Sequence, residues 1–179
     1  MSLFNKTVYN ILKYTRNKNS LKIINSIGNI DDYNLILPNL YLGNINCAND
    51  KNFLETNNIG AVVNCTEDEP FSDYFDDKPK IRILINDSKE KENIEKFKSE
   101  IIDCLLFIDD CIKNNKIVYV HCYWGLMRSA TIVASYLIKK CNMSHIEAIH
   151  FVKEQRPLSL SSLYNFNEIL IYVENYYKK

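Results

Sequence analysis

The chain has 179 residues, of which 46% are hydrophobic and 25% charged, the size and composition of one soluble globular domain. Its 22 lysines and arginines balance 22 aspartates and glutamates, so the overall positive charge that nucleic-acid binding usually requires is absent, and no nucleic-acid partner is expected. Six cysteines without CxxC spacing and three histidines form no metal-ligand pattern, and we expect neither a metal nor another cofactor.

The first 34 residues are a basic appendage. Four apolar side chains, starting at Phe4, have helical spacing and predict a helix over residues 3–14, followed by a loop rich in Asn, Lys and Ser. So short a helix is marginal alone, and we expect it to dock on its own domain or on a second copy of the chain, as a homodimer. Attachment of its basic face to a membrane surface is the alternative. Without an apolar run of membrane-spanning length or a signal core, an intracellular, cytoplasmic location is expected.

Strands and helices alternate along the rest of the chain. The pattern predicts strands near residues 36–42, 59–65, 81–85 and 117–120, and helices near residues 46–56, 94–112, 129–140, 144–156 and 162–176. Alternation of this kind is typical of a parallel sheet covered by helices. The fold class is therefore predicted to be α/β, a single domain whose central, mainly parallel sheet of about four or five strands is flanked by helices.

The segment that carries chemistry follows the strand at 117–120. Cys122 comes at the end of that strand, and Arg128 comes six residues later, at the start of a helix. A loop between a strand and a helix turns its backbone N–H groups toward the positive end of the helix dipole and forms an anion-binding cradle. Gly125 allows the backbone to bend, and Arg128 offers two parallel donors to a phosphate. The same dipoles lower the pKa of Cys122 and make it a nucleophile.

The remaining loop residues have supporting roles or simpler explanations. His121 is interpreted as orienting the loop through hydrogen bonds rather than as a base. Ser129 is positioned to donate to the cysteine sulfur, although a serine in the first turn of a helix is common for other reasons. Cys122 itself could be a buried core thiol. The predicted phosphate-binding loop consists of His121, Cys122, Tyr123, Trp124, Gly125, Leu126, Met127 and Arg128.

From about residue 35 to its end, the chain resembles the compact dual-specificity protein phosphatases first known from poxviruses. Besides the His-Cys…Gly…Arg-Ser loop, the resemblance rests on Leu40-Tyr41-Leu42-Gly43, Val63-Asn64-Cys65-Thr66, Arg156-Pro157, and Asp87 followed ten residues later by Phe97. It implies domain boundaries of 1–34 for the appendage and 35–179 for the phosphatase domain. The composition and this kinship also suggest a large DNA virus as the source.

The resemblance implies a mechanism and its residues. Family members hydrolyse phosphotyrosine, phosphoserine and phosphothreonine on proteins through a phosphocysteine, so a phosphoprotein is the expected substrate. Asp87 matches the general acid of the family. Cys65 matches a cysteine that, in related phosphoinositide phosphatases, can form a disulfide with the nucleophile. Burial of Cys65 as a small apolar residue of the sheet is the simpler alternative.

Departures from the family pattern leave other functions open. Trp124 and Met127 replace residues that are commonly small or serine, and Ser161-Ser162 replace Pro-Asn, so pocket shape is unsettled. The alternatives are an inactive phosphate-binding module and a phosphoinositide or RNA-end phosphatase. The acidic stretch from Glu67 to Asp77 follows a strand and is either a solvated loop or a border of the site.

Overall fold

The computed structural model describes residues 26, 31–88, 90–161 and 166–178. The predicted helix over residues 3–14, and with it the proposed dimer contact, lies outside these residues. The same is true of residues 162–165, where the last helix was predicted to begin.

A five-stranded sheet forms the centre of the described part of the chain, in the order β1-β2-β5-β3-β4. Its strands are β1 (Tyr33–Leu37), β2 (Leu40–Gly43), β3 (Ile59–Asn64), β4 (Lys80–Arg82) and β5 (Ile117–His121). β1 is antiparallel to β2, and the other neighbours are parallel. The mainly parallel α/β sheet predicted from the sequence is thus confirmed, with β5 at its centre.

Helices cover this sheet. They are α1 (Ile45–Ala48), α2 (Lys51–Thr56), α3 (Lys91–Lys113), α4 (Arg128–Cys141), α5 (His145–Gln155) and α6 (Asn167–Tyr177). α4 is the central helix, since all its side chains from Arg128 to Ile138 are buried and it packs against α3, α5, α6 and the sheet. Within the described ranges, no helix is both long and apolar enough to cross a membrane.

The structure differs from the sequence prediction in three elements. The single strand predicted over 36–42 is a hairpin of β1 and β2. The helix predicted over 46–56 is divided in two, because the Asp50 side chain accepts hydrogen bonds from the first N–H groups of α2 and starts a new helix there. The strand predicted over 81–85 pairs only as far as Arg82, although Ile83 and Ile85 remain buried.

A capping box of Ser144 and Glu147 begins α5. The Glu147 N–H donates to Ser144 Oγ over 3.2 Å, and the Ser144 N–H donates to Glu147 Oε2 over 2.7 Å. Two of the four N–H groups that a helix start leaves unpaired are usually satisfied in this way. α5 then ends at Gln155, two residues before Pro157.

The register brings three strand ends to one edge of the sheet. Gly43 and Asn64 both lie beside His121, at the carboxyl ends of β2, β3 and β5. In open α/β sheets, ligands bind outside the carboxyl ends of the strands. The residues that follow these strands, including Cys122, therefore meet where a site is expected.

Candidate active site

Cys122 lies directly after β5 and is 1% exposed. Its sulfur accepts hydrogen bonds from the Gly125 N–H over 3.3 Å and from the Ser129 hydroxyl over 3.2 Å. One donor belongs to the loop and the other to the first turn of α4. The structure thus places one loop N–H and the Ser129 hydroxyl at the sulfur.

The backbone carbonyls of the loop point away from the sulfur. The Tyr123 carbonyl accepts from the Ile45 N–H over 3.2 Å, and that of Leu126 from the Leu160 N–H over 2.9 Å. Arg156 donates to the Trp124 carbonyl over 3.3 Å and to the Gly125 carbonyl over 2.7 Å. The N–H of a trans peptide points opposite to its C=O.

Four consecutive N–H groups, those of residues 124–127, therefore face the interior of the loop. Consecutive backbone donors of this kind at the start of a helix are typical of an anion-binding nest.

Gly125 has the backbone conformation that the loop requires. Its φ is +69°, in the left-handed region that L residues rarely adopt. A Cβ built there would lie 2.5 Å from the backbone of Gly43. Both observations exclude a side chain at this position.

The surroundings of Cys122 favour its thiolate. Burial, the largest influence, raises its pKa, but the Arg128 guanidinium and hydrogen bonds from the Ser129 side chain and backbone outweigh burial, and the result is a pKa below that of an ordinary thiol. The negative charge of Asp87 opposes this lowering. The cysteine is thus biased toward its nucleophilic form.

Arg128 is buried at the first position of α4, with 2% of its surface exposed. One guanidinium nitrogen donates to the Ile85 carbonyl over 3.3 Å. Its Nε finds no hydrogen-bond partner among the residues that the structure describes. A buried charged donor is costly unless it is paired, and a bound phosphate would supply the acceptor.

Asp87 lies in the loop between β4 and α3, close enough to influence the pKa of both Cys122 and Arg128. The loop is held by Asn93 of α3. The Asn93 side chain accepts from the Asn86 N–H over 2.9 Å and donates to the carbonyls of Asn86 and Ser88 over 2.9 and 2.8 Å. Asn93 therefore fixes the backbone on both sides of Asp87.

His121 is buried behind the loop, where its ring stacks on that of Tyr119 at 5.7 Å. Burial, the largest influence, lowers its pKa to about 3. The imidazole is neutral at physiological pH. The orienting role of His121 stays a prediction.

The structure settles where Trp124 lies. It is 4% exposed and packs edge-on against Tyr123, with ring centroids 5.2 Å apart. Met127 and Leu126 are also buried. The unusual loop residues therefore turn into the core, and Trp124 does not line an open rim.

Cys65 follows β3 and is completely buried. Its N–H donates to the His121 carbonyl over 2.8 Å, which holds it beside the end of β5. Burial raises the pKa of its thiol well above the ordinary value, and the neighbouring Cys104 and Cys122 raise it further.

Sequence analysis missed the residues that support the loops. Asn93 was not identified, and Arg156 was noted only as part of a motif. Asn93 could have been found, because it is an asparagine in the first turn of the helix that follows the candidate acid. Arg156 gave no such local signal, because its partners in the loop and in residues 31–34 are more than 30 positions away in sequence.

A buried cysteine thiolate in a strand–loop–helix cradle, with an arginine at the start of the helix, defines the site of a cysteine-dependent phosphatase domain. The family described as dual specificity phosphatase, catalytic domain, matches residues 40–176. The chain belongs to this family.

Curated relatives agree with this assignment. The chain is 39% identical over 131 residues to human dual specificity protein phosphatase 16, covering 73% of this chain and 19% of that protein. It is 34% identical over 146 residues to tyrosine-protein phosphatase vhp-1 of Caenorhabditis elegans, covering 81% and 22%. The chain thus spans about a fifth of the length of these two relatives.

Solved structures show the same fold. DUSP15 matches with a TM-score of 0.68 and 26% identity, covering 80% of this chain and 86% of that one. Human DUSP28 matches with a TM-score of 0.69 and 17% identity, covering 83% and 94%, a likeness that concerns the fold alone.

Proposed function

We propose that this chain is a dual-specificity protein phosphatase that hydrolyses phosphotyrosine, phosphoserine and phosphothreonine through a phosphocysteine. The observation that carries the proposal is the buried Cys122 sulfur, which accepts hydrogen bonds from the Gly125 N–H and the Ser129 hydroxyl and lies within the influence of the Arg128 charge. Such a site matches the three outer oxygens and the negative charge of a phosphate ester.

In the first step, the Cys122 thiolate attacks phosphorus and forms the S–P bond as the P–O bond to the leaving group breaks. Arg128 and the loop amides hold the three outer oxygens. Asp87 gives its proton to the leaving oxygen. This acid is needed because a tyrosyl leaving group has a pKa of about 10 and a serine or threonine alkoxide is worse.

In the second step, Asp87 takes a proton from water as the water attacks the phosphocysteine. The S–P bond breaks, phosphate leaves, and the electron pair returns to Cys122 as a thiolate stabilised by the Ser129 hydroxyl. Neither step requires a metal or another cofactor.

A protein substrate fits the loop better than a phosphoinositide or an RNA end. Residues 123–127 contain no lysine, so the loop offers no cation besides Arg128 for a further phosphate group. Cys122 also supports catalysis over mere phosphate binding, because an inactive module usually lacks the nucleophile. Free cysteines at all six positions fit a reducing intracellular compartment.

The direct test is release of phosphate from phosphotyrosyl and phosphothreonyl peptides in the presence of a chelator. We expect turnover of both peptides by the wild-type chain and none by Cys122→Ser. Trapping of radioactive phosphate on Cys122 during turnover would identify the intermediate. A wild-type chain that binds the peptides but releases no phosphate would instead support the inactive module, and release from phosphoinositides alone would support the lipid alternative.

A further inference from the structure

Arg156 is an unusual residue, because its charged side chain is completely buried yet lies outside the reacting groups. Its guanidinium satisfies acceptors in two separate parts of the chain. Toward the loop, it donates to the carbonyls of Trp124 and Gly125. Toward the first strand, it donates to the Asp31 carbonyl over 2.6 Å and to the Asn34 side chain over 2.8 Å.

The two loop carbonyls that Arg156 binds control the donors next to the nucleophile. The peptide that carries the Trp124 carbonyl also carries the Gly125 N–H, which donates to the Cys122 sulfur over 3.3 Å. Glycine has more accessible backbone conformations than any other residue, so Gly125 does not hold this peptide by itself. A fixed acceptor contact on the outer side of the peptide keeps its N–H directed inward.

The other end of the contact lies ahead of the predicted phosphatase domain. Asp31 and Asn34 precede residue 35, which the sequence suggested as the boundary. The Asp31–Asp32 segment is further joined to the site edge, since the Asp32 carbonyl accepts from the Asn44 N–H over 3.0 Å. Residues 31–34 therefore form part of the support of the loop.

We propose that Arg156 is a positioning residue that clamps the loop carbonyls to residues 31–34 and so holds the loop N–H groups on the Cys122 thiolate. The inference rests on the proposed function, in which that thiolate is the nucleophile. It assigns to residues 31–34, which lead into β1 and form its start, a direct influence on the reactivity of the active site.

Charge and geometry have to be separated in the test. The thiolate of Cys122 interacts favourably with the Arg156 charge, although burial is the largest influence on the Arg156 pKa and lowers it. Removal of the charge alone would therefore make the thiolate less stable. Arg156→Lys keeps the charge but cannot reach four acceptors in two directions, whereas Arg156→Met removes both.

The readout is the rate at which iodoacetamide alkylates Cys122 as a function of pH, followed by mass spectrometry of the Cys122 peptide. We expect the midpoint of this profile to move upward by about 1 pH unit or more in both Arg156 variants. The reason is that the Gly125 N–H no longer donates a well-directed hydrogen bond to the Cys122 thiolate. Asn34→Ala should move it in the same direction by less. Val173→Ala, a buried change in α6, should lower Tm without moving the midpoint.

A wild-type midpoint in Arg156→Lys, with a shift only in Arg156→Met, would mean that charge alone acts, and it would overturn the positioning role. Unchanged midpoints in both would do the same. If neither Arg156 variant folds, Asn34→Ala decides, because its half-buried side chain removes a single acceptor: a shift supports the clamp, and no shift overturns it. Alkylation needs no turnover, so failure of the proposed phosphatase activity would be recognised separately by an inactive wild-type chain.

Discussion

The hydroxyl of Ser129 lies 3.2 Å from the sulfur of Cys122 and is directed at it from the first turn of α4. Ser129 is completely buried, so water does not compete for this hydrogen bond. The Ser129 backbone also contributes to lowering the pKa of Cys122. The helix that carries Arg128 thus supplies a donor to the sulfur that acts, in the proposed mechanism, first as nucleophile and then as leaving group.

Ser129→Ala should raise the pKa of Cys122. A lowered pKa keeps the thiol ionised to a lower pH, so the variant should lose activity most below the ordinary thiol pKa and approach the wild type at higher pH, where both thiols are ionised. We also expect slower breakdown of the phosphocysteine, because the departing thiolate loses its donor. Burst kinetics with an activated aryl phosphate at pH 6 and pH 8 measure both effects.

Ser135→Ala is the matched control for that experiment. Ser135 is also buried in α4, and its hydroxyl has no hydrogen-bond partner among the described residues. It should leave the pH profile unchanged. Identical burst kinetics for Ser129→Ala and Ser135→Ala would contradict the role of Ser129.

Asp87→Ala should lower kcat by about 10²–10⁴ on phosphothreonyl peptides, because the alkoxide then leaves without a proton. The loss should be much smaller for an aryl phosphate whose leaving group is stable as an anion. Asp103→Ala, which changes an exposed carboxylate of α3, serves as the control. Equal rates of wild type and Asp87→Ala on the phosphothreonyl peptide would remove Asp87 from the mechanism.

The features that the sequence predicted well are local in the chain. Apolar residues recur at helical spacing from Ile94 to Ile108 and form the buried face of α3, and the short apolar run at 117–120 lies in β5, the central strand. The direction of the loop N–H groups could also be predicted locally, because a loop that connects a strand to the start of a helix turns its N–H groups toward the helix N-terminus. Hydrophobic periodicity and turn chemistry act over a few residues, so they remain visible in the sequence.

The features that could not be predicted depend on contacts between distant residues. The hydrogen bonds of Arg156 with Gly125 and Asp31 join residues that are 31 and 125 positions apart in the chain. The burial of Trp124 depends on packing, and an aromatic side chain at a loop position is compatible with either the rim or the core. The break between α1 and α2 was in principle visible, because Asp50 is a common helix-capping residue type.

The acidic segment after β3 offers a test of substrate preference. Arg82 donates to the carbonyls of Thr66 and Glu69 over 2.7 and 2.8 Å, which fixes the turn that carries Glu67 and Asp68. Both acidic residues are exposed. Burial is the largest single influence on the pKa of Arg128 and lowers it, whereas Asp68 is among the negative charges that raise it. We therefore expect this turn to border the site.

We expect peptides with basic residues near the phosphorylated position to be hydrolysed with a higher kcat/KM than acidic ones, and the ratio to fall as salt is added. The double variant Glu67→Gln/Asp68→Asn should reduce that ratio. Asp76→Asn/Asp77→Asn is the control, because these carboxylates already pair with Lys80 and Lys78 at 3.5 and 3.0 Å. An equal kcat/KM for basic and acidic peptides at low ionic strength would rule out the preference.

Cys65 lies where it could protect the nucleophile from oxidation. Asn64 and His121 are neighbours in the parallel pair of β3 and β5, so the cysteines that follow them are also neighbours. Adjacent strands are about 4.7–4.9 Å apart, and a disulfide requires Cα atoms within about 7 Å. We therefore expect that the two sulfurs can be joined without separating the strands.

Brief treatment with hydrogen peroxide should convert the Cys122 thiolate to a sulfenic acid, with reduction of the peroxide to water. The Cys65 thiol then attacks that sulfur, the S–S bond forms, and the sulfenic oxygen leaves as water. Non-reducing peptide mapping should find the Cys65–Cys122 peptide, and dithiothreitol should restore activity.

Cys65→Ser should recover poorly, because the Cys122 sulfenic acid of this variant proceeds to irreversible sulfinic acid. Cys104→Ser, which changes another buried thiol near Cys65, should recover as the wild type does. Full recovery of Cys65→Ser, with no disulfide-linked peptide in the wild type, would show that Cys65 is only a buried residue of the sheet.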